Sequence, residues 1–416
     1  MRLRPGTGKI YFAYALTFSI FVVWIYPYND SEMAEYRIKE VVSRKDLKRF
    51  IVFPDELYKG CEFYVPPLHK GQEHELMHSP SLEYCTRKMW LVEDGSGRTA
   101  GRICGIINPR YNEKYGVKRA SFGWFDVVND IDAARLLMET AGKWAAENGM
   151  DEIHGPLQYN TFGRQGMLVE GFDKLSPFTC LYNYPYYVEL VEQMGFEKEC
   201  DWIQYRMPAD QGVDDRMSAI ADRMMDRYKL KIADFDELKK DKENFRRFFH
   251  TYNDCFDGTV YNFVPFTEAE IEDEIDQISS QLNSKLCCVL TDSDGDIAAF
   301  GISVPSLSVA MRKASGKLFP FGWIHVLKAM RDFRNIDLLL NGAAPKWQHT
   351  GISAVFHSVM ARQYRECGAK WAIANPQIET NTAVNVWDRY NHELWLRRRC
   401  WIKKIGATGT DKDKTE

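Results

Sequence analysis

Apolar residues recur along the chain at two spacings, and the spacing changes from segment to segment. Residues 36 to 53 (YRIKEVVSRKDLKRFIVF) read as a short strand and then a helix, with Ser43 placed as the cap ahead of Leu47, Phe50 and Ile51. The prolines of YVPPL, 64 to 68, exclude helix there. WLVEDGSGRTAGRICGIIN, 90 to 108, is two strands about a Gly-Ser-Gly turn, and RASFGWFDVV, 119 to 128, supplies a third. Asp130 or Asp132 caps a helix to Asn148 with Ala134, Leu137, Met138, Ala141, Trp144 and Ala145 on one face and Gly149 as stop. A strand at 152 to 157 follows, and 185 to 207 holds a short amphipathic helix, a Gly-Phe corner and a closing strand.

A polar helical linker, 208 to 231, leads into a second pass through the same order. Helices near 240 to 255 and 267 to 282 precede strands at 286 to 291 and 296 to 304, an insertion at 305 to 333, a strand at 335 to 343, a helix at 352 to 367, a strand at 369 to 375 and a last helix. This repetition predicts an α/β fold, in detail mixed α+β sheets, arranged as two tandem lobes at 33–207 and 232–406. The polar tail 407–416 is expected to be disordered.

Composition narrows the class. The chain has 416 residues, 45% of them hydrophobic and 27% charged, and its formal net charge of -4 gives no basic footprint for nucleic acid. Its 10 cysteines form no C-x-x-C pair and mostly sit in apolar patterns, which predicts reduced thiols in a cytoplasmic protein. The extension 1–32 complicates this, because Arg2, Arg4 and Lys9 precede an apolar run from Ile10 to Tyr26. Such a run suits an inner-membrane anchor or a signal-peptide core, yet it lacks a small-x-small cleavage site and Met33 stands just before the first patterned segment. A start at Met33 and a cytoplasm-facing anchor both remain open.

Candidate chemistry concentrates in 335 to 381. The apolar strand runs to Ala343, Pro345 ends its pairing, and the loop from Gln348 to Gly351 opens into a helix with Ile352, Val355, Phe356, Val359, Met360 and Cys367 on one face. A helix start presents unpaired N–H groups and partial positive charge, which suit a pyrophosphate; Gly351 permits positive φ and Ser353 adds a hydroxyl.

Gln348-His349-Thr350-Gly351-Ile352-Ser353 resembles the signature of the GCN5-related N-acyltransferases: Gln or Arg, two residues, Gly, one residue, then Gly or a small residue. The resemblance implies that Gln348, His349, Thr350, Gly351, Ile352 and Ser353 bind the pyrophosphate of acyl-CoA, acetyl-CoA or a longer chain. It implies also that the backbone of Asn341, Gly342 and Ala343 pairs with the pantetheine arm. YVELVEQMGF in the first lobe resembles the family's terminal helix and Gly-Phe corner, but that lobe has no such loop, so it is expected to provide acceptor surface and bind no CoA. From 36 to 405 the chain is similar to a bacterial group of tandem acyltransferase-like proteins, through YVPPL (64 to 68), GPLQYNTFGRQGMLVEGFD (155 to 173) and YNYPYYVELVEQMGF (182 to 196). Relatives in that group are linked to sphingolipid and ceramide acylation, and acidic residues common in the group are replaced here at Thr161, Gly163 and Gln165.

The expected activity is transfer of an acyl group from acyl-CoA to an amine acceptor, a lipid or long-chain base among the options, without metal. Glu379 is the candidate base and Asn381 an orienting group; the family's tyrosine acid has Trp387 and Asp388 at its positions, with Tyr390 slightly beyond. KASGKLFPFGWIHVLKAM, inside 305–333, reads either as a helix packed on the core or as an acyl-chain wall or membrane-surface contact. Two alternatives stay on the page: a non-catalytic acyl-CoA or membrane-binding protein, and a zinc hydrolase through His74-Glu75-Leu76-Met77-His78. The latter motif matches H-E-x-x-H, but Gly71 and Ser79-Pro80 leave it about two turns, which favours a solvated loop. GTGK at 6 to 9 lacks the rest of a P-loop, and Asp292, Asp294 and Asp296 around Gly295 suit a hairpin turn better than a calcium loop.

Overall fold

The computed structural model describes residues 35–416 except 210, 212–214, 259, 280–281, 382–390 and 407–416. The apolar run 10–26, the last helix expected after 381 and the tail therefore lie outside the described residues. From Tyr36 onward the chain forms one compact unit.

Its first half contains β1 (Arg37–Glu40), α1 (Arg44–Leu57), α2 (His69–His78), β2 (Thr86–Glu93), β3 (Thr99–Ile107), α3 (Pro109–Tyr115), β4 (Arg119–Val127), α4 (Ile131–Glu147), β5 (Glu152–Gly155), β6 (Met167–Glu170), α5 (Tyr186–Gln193) and β7 (Glu197–Pro208). The second half contains α6 (Asp215–Tyr228), β8 (Lys231–Ile232), α7 (Phe235–Leu238), α8 (Lys242–Phe256), α9 (Glu268–Ile278), β9 (Cys287–Thr291), β10 (Ile297–Pro305), α10 (Ser308–Ala314), α11 (Gly322–Ala329), β11 (Asn335–Ala343), α12 (Ile352–Glu366), β12 (Trp371–Ile373), β13 (Gln377–Ile378) and β14 (Glu393–Lys404).

Local chemistry explains many boundaries. Ser43 and Asp46 form a reciprocal capping box on α1, and the Asp130 carboxylate accepts from the N–H groups of Asp132 and Ala133 to start α4. Two helices of the first half escaped the sequence reading. Helix α3 has its own signals, Asn108 as cap, Pro109 in the first turn and left-handed Gly116 at its end. The H-E-x-x-H stretch is helical α2 rather than a loop, because Gln72 and Leu76 bury one side of it.

All the described strands join one mixed sheet, in the order β1-β2-β3-β4-β5-β14-β7-β12-β11-β10-β9-β8, with β13 beside β7 and β6 beside β14. Only the pairs β4·β5 and β11·β12 are parallel. Near the centre the chain crosses over itself: β7, from the first half, pairs with β12 of the second, and β14, from the end of the chain, lies between β5 and β7. Strand β14 was not anticipated, since Arg397-Arg398-Arg399 interrupts its apolar pattern. Those arginines alternate as a strand requires. Arg397 and Arg399 reach carboxylates at Glu170 and Asp201, while Arg398 is completely buried.

Inside the sheet the Arg398 guanidinium donates to Gln204 Oε1 (3.2 Å), Ser176 Oγ (3.0 Å) and the Leu181 carbonyl, so it ties β14 to β7 and to the 174–184 loop. No carboxylate accompanies it in these bonds, so its neutral acceptors depend on it as much as it depends on them. Arg398→Leu is expected to lower the unfolding free energy by about 3 kcal/mol in urea denaturation, whereas Arg397→Leu at the partly exposed neighbouring position costs under about 1 kcal/mol.

Candidate functional site: an open splay beside a helix N-terminus

Strands β11 and β12 run parallel for only three residue pairs, Asn335 with Trp371, Ile336 with Ala372 and Asp337 with Ile373. Beyond them β12 stops, while β11 continues to Ala343 held only by β10, through Asn341 opposite Gly301 and Gly342 opposite Phe300. The register of β11 against β10 shifts between Ile302 and Ser303, so Leu339 bulges and turns the strand away from β12. The resulting gap is a small cleft of about 60 Å³ lined by Leu338, Leu340, Asn341, His357, Tyr364 and Ala372 among others.

The chain leaves β11 through a turn that Trp347 anchors, its buried indole edge-on to Tyr228 of α6 at 5.4 Å. Thr350 Oγ1 donates to the Trp347 carbonyl (2.6 Å), and the Gln348 amide donates to the Ala343 carbonyl (3.3 Å). His349 (φ 61°) and Gly351 (φ 88°) both take the left-handed conformation, and Gly351 caps α12. The Ala354 N–H of the first turn of α12 donates to the Gly351 carbonyl (3.0 Å), and the helix start lies at the positive end of its dipole. Thus Gln348, His349, Thr350, Gly351, Ile352 and Ser353 form a single turn at the helix start. Of the three strand residues Asn341, Gly342 and Ala343, Asn341 lines the cleft itself.

One residue at the start of the splay, though not on the cleft wall, was missed in sequence. Asp337 is 3% exposed, at the last parallel pair before the splay, and both its carboxylate oxygens are buried without a hydrogen-bond partner. Burial pushes its carboxyl up to about 7, opposed in part by Ser306. Strand alternation turns it away from Ile336 and Leu338, which pack with α12, toward the face where its partner Val304 meets the α8 side of the sheet. A charged residue within IDLLL was the available signal. His357, on the cleft wall, is pushed down to about 4 by burial and is neutral at physiological pH.

The other sequence candidates lie elsewhere. Glu379 pairs with Lys198 Nζ (2.7 Å) and accepts from the Asp201 N–H (3.2 Å), which holds it on β7. Asn381 closes the following turn, its N–H donating to the Ile378 carbonyl (3.0 Å). Neither lines the cleft. Trp387, Asp388 and Tyr390 fall outside the described residues. In α2, His74 bonds Asp273 of α9 (3.0 Å) and so joins the two halves of the chain, while Glu75 meets Arg164 (3.4 Å) within the first half. Burial, with Asp273, Glu75 and Glu270 nearby, pushes Glu274 of this seam up to about 8. Among the described residues one grouping has metal-like spacing, His154, Glu199 and Cys400. Its groups are already engaged: His154 bonds Glu199 (3.0 Å) and Ser121 (3.0 Å), and Glu199 pairs with Arg119 (2.8 Å). Asp292 accepts from the N–H groups of Asp294 and Asp296, as a hairpin turn does.

A second splay starts between β4 and β5 after three parallel pairs, but the chain itself closes it. The Leu157 N–H donates to the Phe122 carbonyl (2.8 Å), and a Cβ on Gly123 would meet the Leu157 carbonyl oxygen at 2.3 Å. The first half therefore has the strand arrangement without the opening.

A mixed sheet that splays between two parallel strands, with a left-handed glycine opening the intervening helix, and the same order twice in one chain, is the tandem GCN5-related N-acyltransferase fold. Comparison with solved structures agrees. A GCN5-related glucosamine N-acetyltransferase region of a fungal multi-domain β-N-acetylglucosaminidase superposes with a TM-score of 0.54 at 12% identity, over 89% of this chain and 38% of that one. A tandem protein of the same fold from the clavulanic acid biosynthesis pathway gives 0.51 at 10% identity, over 90% of this chain and 100% of that one. Among curated proteins, the chain is 27% identical to Protein YghO of Escherichia coli (strain K12), over 92% of this chain and 99% of that protein. It is 25% identical to a bacterial ceramide synthase of Caulobacter vibrioides, over 86% of this chain and 95% of that protein. No family model matches the chain.

Asp337 makes stability pH-dependent with a definite sign. Its folded value of about 7 stands above the reference 3.8, so the native state holds the extra proton between them and stability falls as pH rises through that window. Asp337→Asn is expected to raise stability at pH 8 by roughly 2–4 kcal/mol and to change it little at pH 4, read from urea midpoints at the two pH values.

Proposed function

We propose that this protein is an acyl-CoA-dependent N-acyltransferase whose acceptor is the amine of a lipid or long-chain base. The observation that carries the reading is the juxtaposition, within β11 and α12, of an open strand edge, a left-handed glycine at a helix start and a buried carboxyl poised near neutrality. The likeness to a bacterial ceramide synthase supports the lipid acceptor.

In this reading the turn Gln348 to Ser353 holds the pyrophosphate with backbone N–H groups, and the unpaired edge of Asn341 to Ala343 bonds the pantetheine amides. The thioester supplies an activated acyl group. An alkylammonium must lose a proton before it attacks, and a carboxylate with a value near 7 accepts that proton while about half of it is charged near neutral pH. Asp337 fits this task through its burial and its place at the start of the splay, on the α8 face of the sheet. Glu379, engaged by Lys198, remains the alternative base and Asn381 its orienting neighbour. The hydroxyl pair of Ser303 and Tyr364 (2.6 Å), on the cleft wall, is suited to return a proton to the departing sulfur. The first lobe, 33–207, with its splay closed, serves as acceptor surface, and 232–406 carries the cofactor turn.

Calorimetric titration of the full chain with acetyl-CoA and palmitoyl-CoA tests the cofactor site. Both are expected to bind, palmitoyl-CoA more tightly, and Gly351→Asp to lose both by setting a carboxylate at the pyrophosphate. Absence of binding to the unaltered protein would sink the reading. With a long-chain amino alcohol as acceptor, Asp337→Asn is expected to lower kcat by about 10²–10⁴ while acyl-CoA still binds, and Glu379→Gln to leave kcat within a few-fold. The reverse pattern moves the base to Glu379, and binding without turnover marks a non-catalytic acyl-CoA-binding protein.

A further inference from the structure

No acidic residue occurs between Asp296 and Asp332, yet the same stretch carries Arg312, Lys313, Lys317, Lys328 and Arg331. In a chain with 58 acidic and 54 basic residues this is a local reversal of sign. The stretch folds as α10 and α11, and α11 is apolar except for His325 and Lys328. Val326, Ala329 and Met330, spaced three and four apart, are half-buried against a cluster containing Val65, Leu307 and Met311. The opposite side faces outward, with Phe319 75%, Phe321 69%, Trp323 42%, Ile324 46% and Leu327 47% exposed. The Trp323 indole N–H donates to the Pro320 carbonyl (2.9 Å), which fixes the ring at the tip. Lys313, Lys317, Lys328 and Arg331 are exposed around this apolar face, and the next acid along the chain, Asp332, is held by Arg334.

Five large apolar side chains within nine residues form a patch that water solvates poorly. Their cationic rim, with no acid in its own stretch of chain, fits an anionic bilayer surface: the rings enter at headgroup depth while the ammonium groups stay at the phosphates. A second copy of the chain fits worse, because a two-fold contact would set lysines against lysines. We infer that residues 313–331 form a docking surface for an anionic lipid bilayer, with Phe319, Phe321, Trp323, Ile324 and Leu327 as the inserted face. The insertion begins beside the candidate site, since Ser306 neighbours Asp337 and Leu307 belongs to the cluster under α11. Docking there places a bilayer-resident amine beside the splay. This purpose rests on the proposed acyl transfer, but docking itself does not require turnover.

Hydrogen exchange read by mass spectrometry on the full chain tests the surface locally, so that any contribution of residues 10–26 is read separately. Amides of 317–330 are expected to slow several-fold with vesicles of mixed phosphatidylcholine and phosphatidylglycerol, and less with phosphatidylcholine alone. Lys317→Gln and Lys328→Gln should each weaken partition about fivefold, and Phe319→Ser with Phe321→Ser should remove the local slowing at an unchanged melting temperature. Exchange that ignores the vesicles overturns the inference. So does slowing present without vesicles: if it grows with protein concentration the occupant is a second copy, and if not, another segment of this chain.

Discussion

The insertion of β14 between β5 and β7 is the constraint on which the rest of the structure depends. Without it the first half ends at an unpaired β5 edge and β7 loses a long antiparallel partner. With it, one sheet runs from β1 to β8, and each half is completed by a strand drawn from the other half. Arg398 makes that insertion specific. A fully buried guanidinium with neutral acceptors on β7 and on the 174–184 loop is satisfied in one register only, because a shift of one residue would turn it to the opposite face.

A rigid sheet of this kind gives the splay its chemical character. Since β12 is held by β7 on one side and pairs with only three residues of β11 on the other, the strands part where the sheet cannot follow both. The open edge of β11, the cleft and the α12 N-terminus all follow from that parting. Asp337 marks its apex, and burial makes its carboxyl costly to ionise there, with no cation beside it and only Ser306 opposing the cost. Maintaining such a group against its own burial is the kind of local conflict found where a protein uses a residue chemically. The N-terminal splay shows the contrast, since Leu157 bonds across it and the same strand arrangement encloses nothing.

Among the described residues no helix is long and apolar enough to cross a membrane. The apolar tip of 319–327 belongs to another category, a surface feature fixed by packing beneath it, since Val326, Ala329 and Met330 root α11 while its outer side remains bare. The same amino-acid types thus serve as core and as exposed patch on one short helix, and hydrophobicity alone does not separate the two roles.

Local order was legible in the sequence because its causes are local. The capping box at Ser43, the Asp130 cap, the Gly-Ser-Gly hairpin and the strand-to-helix turn at Gly351 each depend on neighbours a few residues away. The fold class and the helix-terminal turn followed from those signals together with the repeated element order. What only the tertiary structure decided was non-local. Strand β14 was hidden by three arginines whose alternate partners, Glu170, Gln204 and Asp201, are far away along the chain. Folding alone sets the ion pair of Glu379 with Lys198 and the burial of Asp337 within its apolar strand. Pairing across a sheet and desolvation of a carboxyl depend on residues brought together by folding, and no spacing along the chain encodes either directly.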